Sequence, residues 1–144
     1  MDMKLKMNVI PLFLLILFCF ASCGGSNSPV KLKQYMVNGQ RGYEANCANC
    51  HMSDGSGLGK VIPPLKGADF LDKHLDQVIC GIKYGMDGKI IVNGVEYDQP
   101  MPGSKFLSDI EIAEIVTFIT NTWGNGNGIV TIEQVQGQLK KCNN

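Results

Sequence analysis

Cys47-Ala48-Asn49-Cys50-His51 decides how the rest of the chain is read. On one helical turn the two thiols can each add to a vinyl group of the same porphyrin. The imidazole that follows then lies under the iron and supplies a proximal ligand. This C-x-x-C-H spacing is the haem c attachment pattern, and its two thioethers make cofactor loss a bond-breaking event. Two other chemistries use paired cysteines. A redox dithiol wants a βαβ context, whereas the segment before Cys47 has helical spacing and contains Gly39 and Gly42. A zinc site needs four ligands, and the sequence has no second C-x-x-C and no H-x-x-x-H pair. The residues favour one covalently bound haem c.

A haem iron that only carries electrons needs a sixth ligand from the protein. Met101 is the choice, because Pro100 and Pro102 stiffen the loop on either side and remove backbone donors. A thioether is a soft ligand that favours Fe(II) and raises the potential. Met86 is the reserve. Met52 adjoins His51 and cannot straddle the ring, Met36 lies on a helix face used for packing, and His74 is expected at the surface. The second ring nitrogen of His51 needs an acceptor that fixes the ring. The Pro63-Pro64-Leu65 stretch offers one, and the Pro63 carbonyl is expected to fill that role.

Outward from this motif, the chain reads as mainly helical with one hairpin. Val30 to Asn46 has helical spacing through Leu32, Tyr35, Met36 and Tyr43. Residues 52–68 are rich in Gly and Pro and predict an extended loop. Asp69 to Tyr84 restores helical spacing as one helix. Lys89 to Val92 and Val95 to Tyr97 flank Asn93-Gly94, a hairpin signal. Pro100 to Gly103 is expected to break regular structure. Ser108 and Glu111 form a capping-box pair before a strongly apolar helix that Trp123-Gly124 ends, and Thr131 to Lys141 predicts a last short helix. Zero formal net charge and 18% charged residues exclude a polyanion-seeking nucleic-acid binder, and 44% apolar residues exclude a disordered chain.

The first residues read as an export signal. Lys4 and Lys6 precede a short apolar run, Val9 to Ala21, which is too short for a comfortable membrane span. Phe20-Ala21-Ser22-Cys23 then resembles a bacterial lipoprotein cleavage box, with Phe20 in place of the usual Leu. Residues 1–22 are therefore expected to be removed, Cys23 to be lipidated, and residues 23–32 to be a flexible tether. The plainer alternative is an ordinary signal peptide with a chance Cys. All 17 Gly lie beyond residue 22, while Phe13, Phe18 and Phe20 are lost with the signal. A domain so poor in large apolar side chains needs something else to fill its centre.

Gly39-x-x-x-Tyr43-x-x-x-Cys47-Ala48-Asn49-Cys50-His51, Gly55-x-Gly57, Pro63-Pro64-Leu65-Lys66-Gly67, Tyr97-x-x-x-Met101-Pro102 and Leu107-Ser108-Asp109 together resemble the class I monohaem cytochromes c. The chain resembles especially the small domains attached to terminal oxidases and alcohol dehydrogenases. The resemblance runs from about Gln34 to Trp123. It implies helices around one haem, a domain over residues 33–124, Cys47 and Cys50 as the covalent attachments, His51 and Met101 as axial ligands, and the Pro63 carbonyl as acceptor from His51. It also implies that Gly39 and Tyr43 cross the C-terminal helix near Ile115 and Phe118, with Trp123 at the pocket edge. Leu58, Ile62, Leu65, Phe70, Leu75, Val78, Ile79 and Phe106 are expected to wall the haem. Residues 125–144 are an extension beyond the family's last helix. Cys80 and Cys142 are left over, and an exported domain often pairs such cysteines. A bridge pinning the extension is expected; two unpaired thiols are the alternative.

The function implied is single-electron transfer with no enzymatic step, since both axial positions are filled by protein. The expected partners are a respiratory oxidase or dehydrogenase, met on the periplasmic side of the cell envelope, where the lipid would tether the carrier to a membrane. The alternative is a haem subunit permanently docked in such a complex.

Overall fold

The computed structural model describes residues 28–124, 126 and 128–142, so the proposed signal and Cys23 lie outside the described residues. Helix α1 (Pro29–Asn46) starts inside the stretch expected as tether: the Ser28 hydroxyl accepts from the Lys31 N–H at 3.3 Å, and Pro29 occupies the first turn. Its buried face is Tyr35, Gly39 and Tyr43. Helix α2 (Ala48–His51) is one turn, set off from α1 by Cys47, and carries the C-x-x-C-H motif. The loop that follows closes on itself through an isolated bridge between Leu58 and Ile62.

Asp69 to Tyr84 forms two helices rather than the single helix expected, α3 (Asp69–Lys73) and α4 (Leu75–Tyr84), with the break at His74. The first of the two is also anchored from outside. Asp69 and Asn93 exchange two hydrogen bonds, Asn93 N–H to Asp69 Oδ1 at 2.7 Å and Asp69 N–H to Asn93 Oδ1 at 3.0 Å. These fasten the first turn to the hairpin, so its direction answers to the hairpin as well as to helical periodicity. That hairpin pairs β2 (Ile90–Val92) with β3 (Val95–Tyr97) around Asn93 and Gly94, both at positive φ. Val92 and Tyr97 point inward and are buried.

The Pro100–Gly103 segment is not irregular throughout. Met101–Pro102 forms β4, antiparallel to β1 (Gly85–Met86), with Met86 opposite Met101 and Gly85 opposite Pro102. A proline lacks an N–H but keeps its carbonyl, so a two-residue ladder that includes Pro102 survives.

Helix α5 (Asp109–Trp123) supplies most of the core; Ile112, Ile115, Val116 and Ile119 are each at most 2% exposed. Burying side chains of this size contributes roughly 1.5–3 kcal/mol each. The Glu111 carboxylate starts the helix by accepting from the Ser108 N–H at 2.8 Å and the Ser108 hydroxyl at 2.6 Å. Helices α1 and α5 cross at Gly39, where a Cβ would overlap the Glu114 carbonyl oxygen and lie 2.7 Å from Phe118 Cβ. Only a missing side chain lets these backbones approach so closely.

Helix α6 (Ile132–Leu139) is capped reciprocally by Thr131 and Gln134 and buries Val135 completely. Cys80 on α4 and Cys142 beyond α6 are joined by a disulfide. Thr117 on α5 holds the connecting segment, its hydroxyl accepting from the Val130 N–H at 3.0 Å. Among the described residues no helix is long and apolar enough to cross a membrane.

Candidate cofactor site

The elements above enclose a cavity of about 550 Å³ whose wall is mostly apolar. That size suits a bound organic cofactor. Cys47, Cys50, His51, Pro63 and Met101, brought together from α2, the following loop and β4, all line it. Both thiols are free; Cys50 is exposed and Cys47 is partly buried. Burial, reinforced by neighbouring Cys50, pushes the Cys47 thiol up to about 11.

His51 is only 9% exposed. Its Nδ1 lies 3.1 Å from the Pro63 carbonyl oxygen. A carbonyl can only accept, so Nδ1 carries the proton and Nε2 keeps a free lone pair. Burial lowers the pKa of His51, with the Pro63 hydrogen bond acting against it, and the net direction keeps the ring neutral. A neutral imidazole with one nitrogen pinned is the form a metal takes.

Two local features hold that ring in place. Gly57, at φ +69°, packs against the Ile62 and Pro63 carbonyls so closely that a Cβ would lie 2.7 Å from Pro63 O. Its N–H also donates to the His51 carbonyl at 3.1 Å. Met52, immediately after His51, has φ 63° and ψ 157°, a region side chains rarely enter. The Tyr43 hydroxyl holds it there by donating to the Met52 carbonyl at 2.6 Å. Burial, and then the charges of Cys47 and Asp54, push the Tyr43 hydroxyl well above the ordinary tyrosine range, so it remains a donor.

The wall differs in part from the expected set. Leu58, Ile62, Leu65, Phe70 and Val78 line the cavity. Ile79 is buried in the core and Leu75 is packed beside it, neither at the cavity wall. Phe106 is 77% exposed, because its short loop places it outward between Lys105 and the buried Leu107. Trp123 also stays outside the wall; it packs edge-on against Tyr43 at 5.0 Å and Phe118 at 5.4 Å, behind the residue that does face the cavity. His74 stacks on Phe70 at 4.7 Å rather than lining the site. Sequence reasoning missed Ile90, Val92 and Tyr97 as wall residues. Their period-two alternation was the available signal, since it puts one face of the hairpin inward.

A paired free thiol motif, a neutral pinned imidazole, a thioether and an apolar cavity of this size fit an iron porphyrin. The fold and the site thus define a small, mainly helical haem-binding domain. Residues 36–123 match the family model described as cytochrome c. The chain is 35% identical over 89 residues to cytochrome c-552 of Thermus thermophilus, covering 59% of this chain and 68% of that protein. Against a second cytochrome c-552 of the same species the identity is the same and 60% of that protein is covered. It is also 35% identical over 98 residues to the cytochrome c subunit of alcohol dehydrogenase (quinone) from Gluconobacter oxydans, covering 65% of this chain but only 20% of that subunit. The corresponding subunit from Gluconacetobacter polyoxogenes is 36% identical over 103 residues, with 22% of its length covered. The chain belongs to the cytochrome c family, and its cofactor is covalent haem c.

Proposed function

We propose that the protein is a single-electron carrier in which Cys47 and Cys50 attach the haem and His51 and Met101 are its axial ligands. The observation that carries this reading is the gathering of both free thiols, the pinned His51 ring and the Met101 thioether on one apolar cavity. When bound, the haem supplies a one-electron Fe(III)/Fe(II) couple. The chain's own residues do the rest. Pro63 fixes the proton on Nδ1 and leaves Nε2 to the metal. Two prolines limit the backbone around Met101, so little rearrangement accompanies a change of charge. With His51 and Met101 filling both axial positions, a small substrate would find no open coordination site, which is why no enzymatic step is assigned. Leu58 and Val61, about half exposed at 54% and 51%, present apolar surface at the cavity rim, which supports a small transient contact with a redox partner there.

The signal-like residues 1–22 and the Phe20-Ala21-Ser22-Cys23 box support export and lipidation at Cys23. The carrier is accordingly placed in the cell envelope, tethered to a membrane on its periplasmic side. A tether would raise the effective concentration of the carrier near a membrane partner. The likeness to the alcohol dehydrogenase subunits favours a second reading, a haem subunit fixed in an oxidase or dehydrogenase complex.

The optical spectrum of the purified protein tests the ligand assignment. The oxidised form should show the weak long-wavelength sulfur-to-iron charge-transfer band of methionine ligation, and Met101→Ala should abolish it. Persistence of the band in Met101→Ala would remove Met101 from the site. Size analysis of detergent-solubilised native membranes separates a lone small carrier from a fixed subunit.

A further inference from the structure

We infer that Met86 is a positioning residue that holds the Met101 side chain in its ligating orientation. The inference rests on the reading of Met101 as axial ligand. Proline on either side stiffens the backbone at Met101, but a methionine side chain has three rotatable bonds of its own. Something beside it must restrict those torsions. Met86 is its direct partner across the β1–β4 ladder, and directly opposed residues project on the same face. Both side chains line the same cavity.

The backbone around the pair is fixed at close range. A Cβ on Gly85 would lie 2.8 Å from the Met101 carbonyl oxygen, and the Ser104 N–H donates to the Ile82 carbonyl at 2.8 Å. The ligand strand is thereby held against the end of α4. Met86 has its own socket in that helix. A Cβ on Gly81 would lie 2.5 Å from Met86 Cγ and 2.6 Å from Met86 Sδ. The absent side chain at Gly81 therefore makes room for the Met86 thioether, which lies against the helix, while the ladder register puts Met86 on the same face as Met101. A well-packed neighbour of this kind limits rotamers by excluded volume alone.

The test uses the haem-loaded protein and its variants Met86→Leu, Met86→Ala, Gly81→Ala, Gly81→Ala/Met86→Ala and Met101→Ala. Two readouts are taken: the amplitude of the sulfur-to-iron band, and the concentration of added imidazole that displaces the thioether. Met86→Ala should lower the displacing concentration by at least about tenfold, the equivalent of losing part of a packed side chain. Met86→Leu conserves volume and should stay near the parent. Gly81→Ala should ease displacement although alanine is the better helix former, because it evicts Met86 from its socket. In the Met86→Ala background the same change should add nothing. If Met86→Ala and Gly81→Ala both match the parent while Met101→Ala loses the band, the positioning role is wrong and the ligand assignment stands. If Met101→Ala keeps the band and Met86→Ala loses it, the ligand assignment itself is wrong. Met86→Leu and Gly81→Ala keep the question decidable should Met86→Ala not fold.

Discussion

His51 and Pro63 are joined by one hydrogen bond, Nδ1 to carbonyl oxygen at 3.1 Å, and Gly57 is the residue that lets the carbonyl come so near. Gly57→Ala would put a side chain on a backbone at φ +69° and drive it into the Ile62 and Pro63 carbonyls. The left-handed conformation alone costs about 1–2 kcal/mol. That corresponds to roughly 4–8 °C in melting temperature per kcal/mol for a domain of this size. A weaker bond to Pro63 also makes the imidazole less basic and a poorer partner for Fe(III). Thermal melting and redox titration should together show a less stable protein with a higher midpoint potential. An unchanged potential would mean that the Pro63 bond does not tune the ligand.

The crossing of α1 and α5 yields a graded pair of substitutions. Gly39→Ala meets backbone, the Glu114 carbonyl, whereas Gly42→Ala meets the Ile115 side chain, with Cγ1 at 2.8 Å. Backbone cannot step aside as a side chain can. Gly39→Ala should destabilise by roughly 1–3 kcal/mol or more, beyond the gain of about 1 kcal/mol from replacing a helical glycine. Gly42→Ala should cost distinctly less. Chemical denaturation of both variants checks the order, and equal losses would contradict the packing described.

The Cys80–Cys142 disulfide ties α4 to the chain beyond α6 across a separation of 62 residues. Restricting an unfolded loop of that length is worth up to about 4 kcal/mol in a chain-entropy model. Cys80→Ser/Cys142→Ser should therefore melt at lower temperature. The cavity-lining ligand residues belong to other segments, so the oxidised spectrum below the transition should match that of the parent. A spectrum altered at low temperature would show that the bridge also shapes the site.

How far the sequence carries this account depends on the kind of information each feature needs. The C-x-x-C-H motif is local chemistry at fixed spacing, and Pro100-Met101-Pro102 is local stiffness, so both were legible. The Gly39–Glu114 crossing was legible only through resemblance, since a single glycine in a helix does not say what it meets. The Asp69–Asn93 pairing was hidden because it joins residues 24 apart in the chain, and the break at His74 left no mark in the apolar spacing. The β1–β4 pair was hidden for a related reason: two-residue strands leave no periodicity to detect. Phe106 shows that apolar character alone does not decide burial, since apolar side chains also stand at surfaces.

Acid should weaken the fold through its capping carboxylates. Hydrogen bonds from the Ser108 hydroxyl and N–H hold the Glu111 carboxyl below its ordinary value of 4.5. A depressed carboxyl pKa contributes stability that is fully present above the unfolded value and lost as pH falls through the folded one. The melting temperature of the parent should thus exceed that of Glu111→Ala at neutral pH. The gap should close as pH drops below 4.5. A gap that stays constant across that range would assign the effect to packing rather than charge.

Covalent attachment at Cys47 and Cys50 is most directly tested by the mass of the denatured protein, produced in a cell that exports it and attaches haem. The expected result is a polypeptide heavier by one iron porphyrin that survives denaturant and acid extraction, with Cys47→Ala/Cys50→Ala exported but unmodified. A properly exported parent chain whose mass equals that of the bare polypeptide would contradict the assignment.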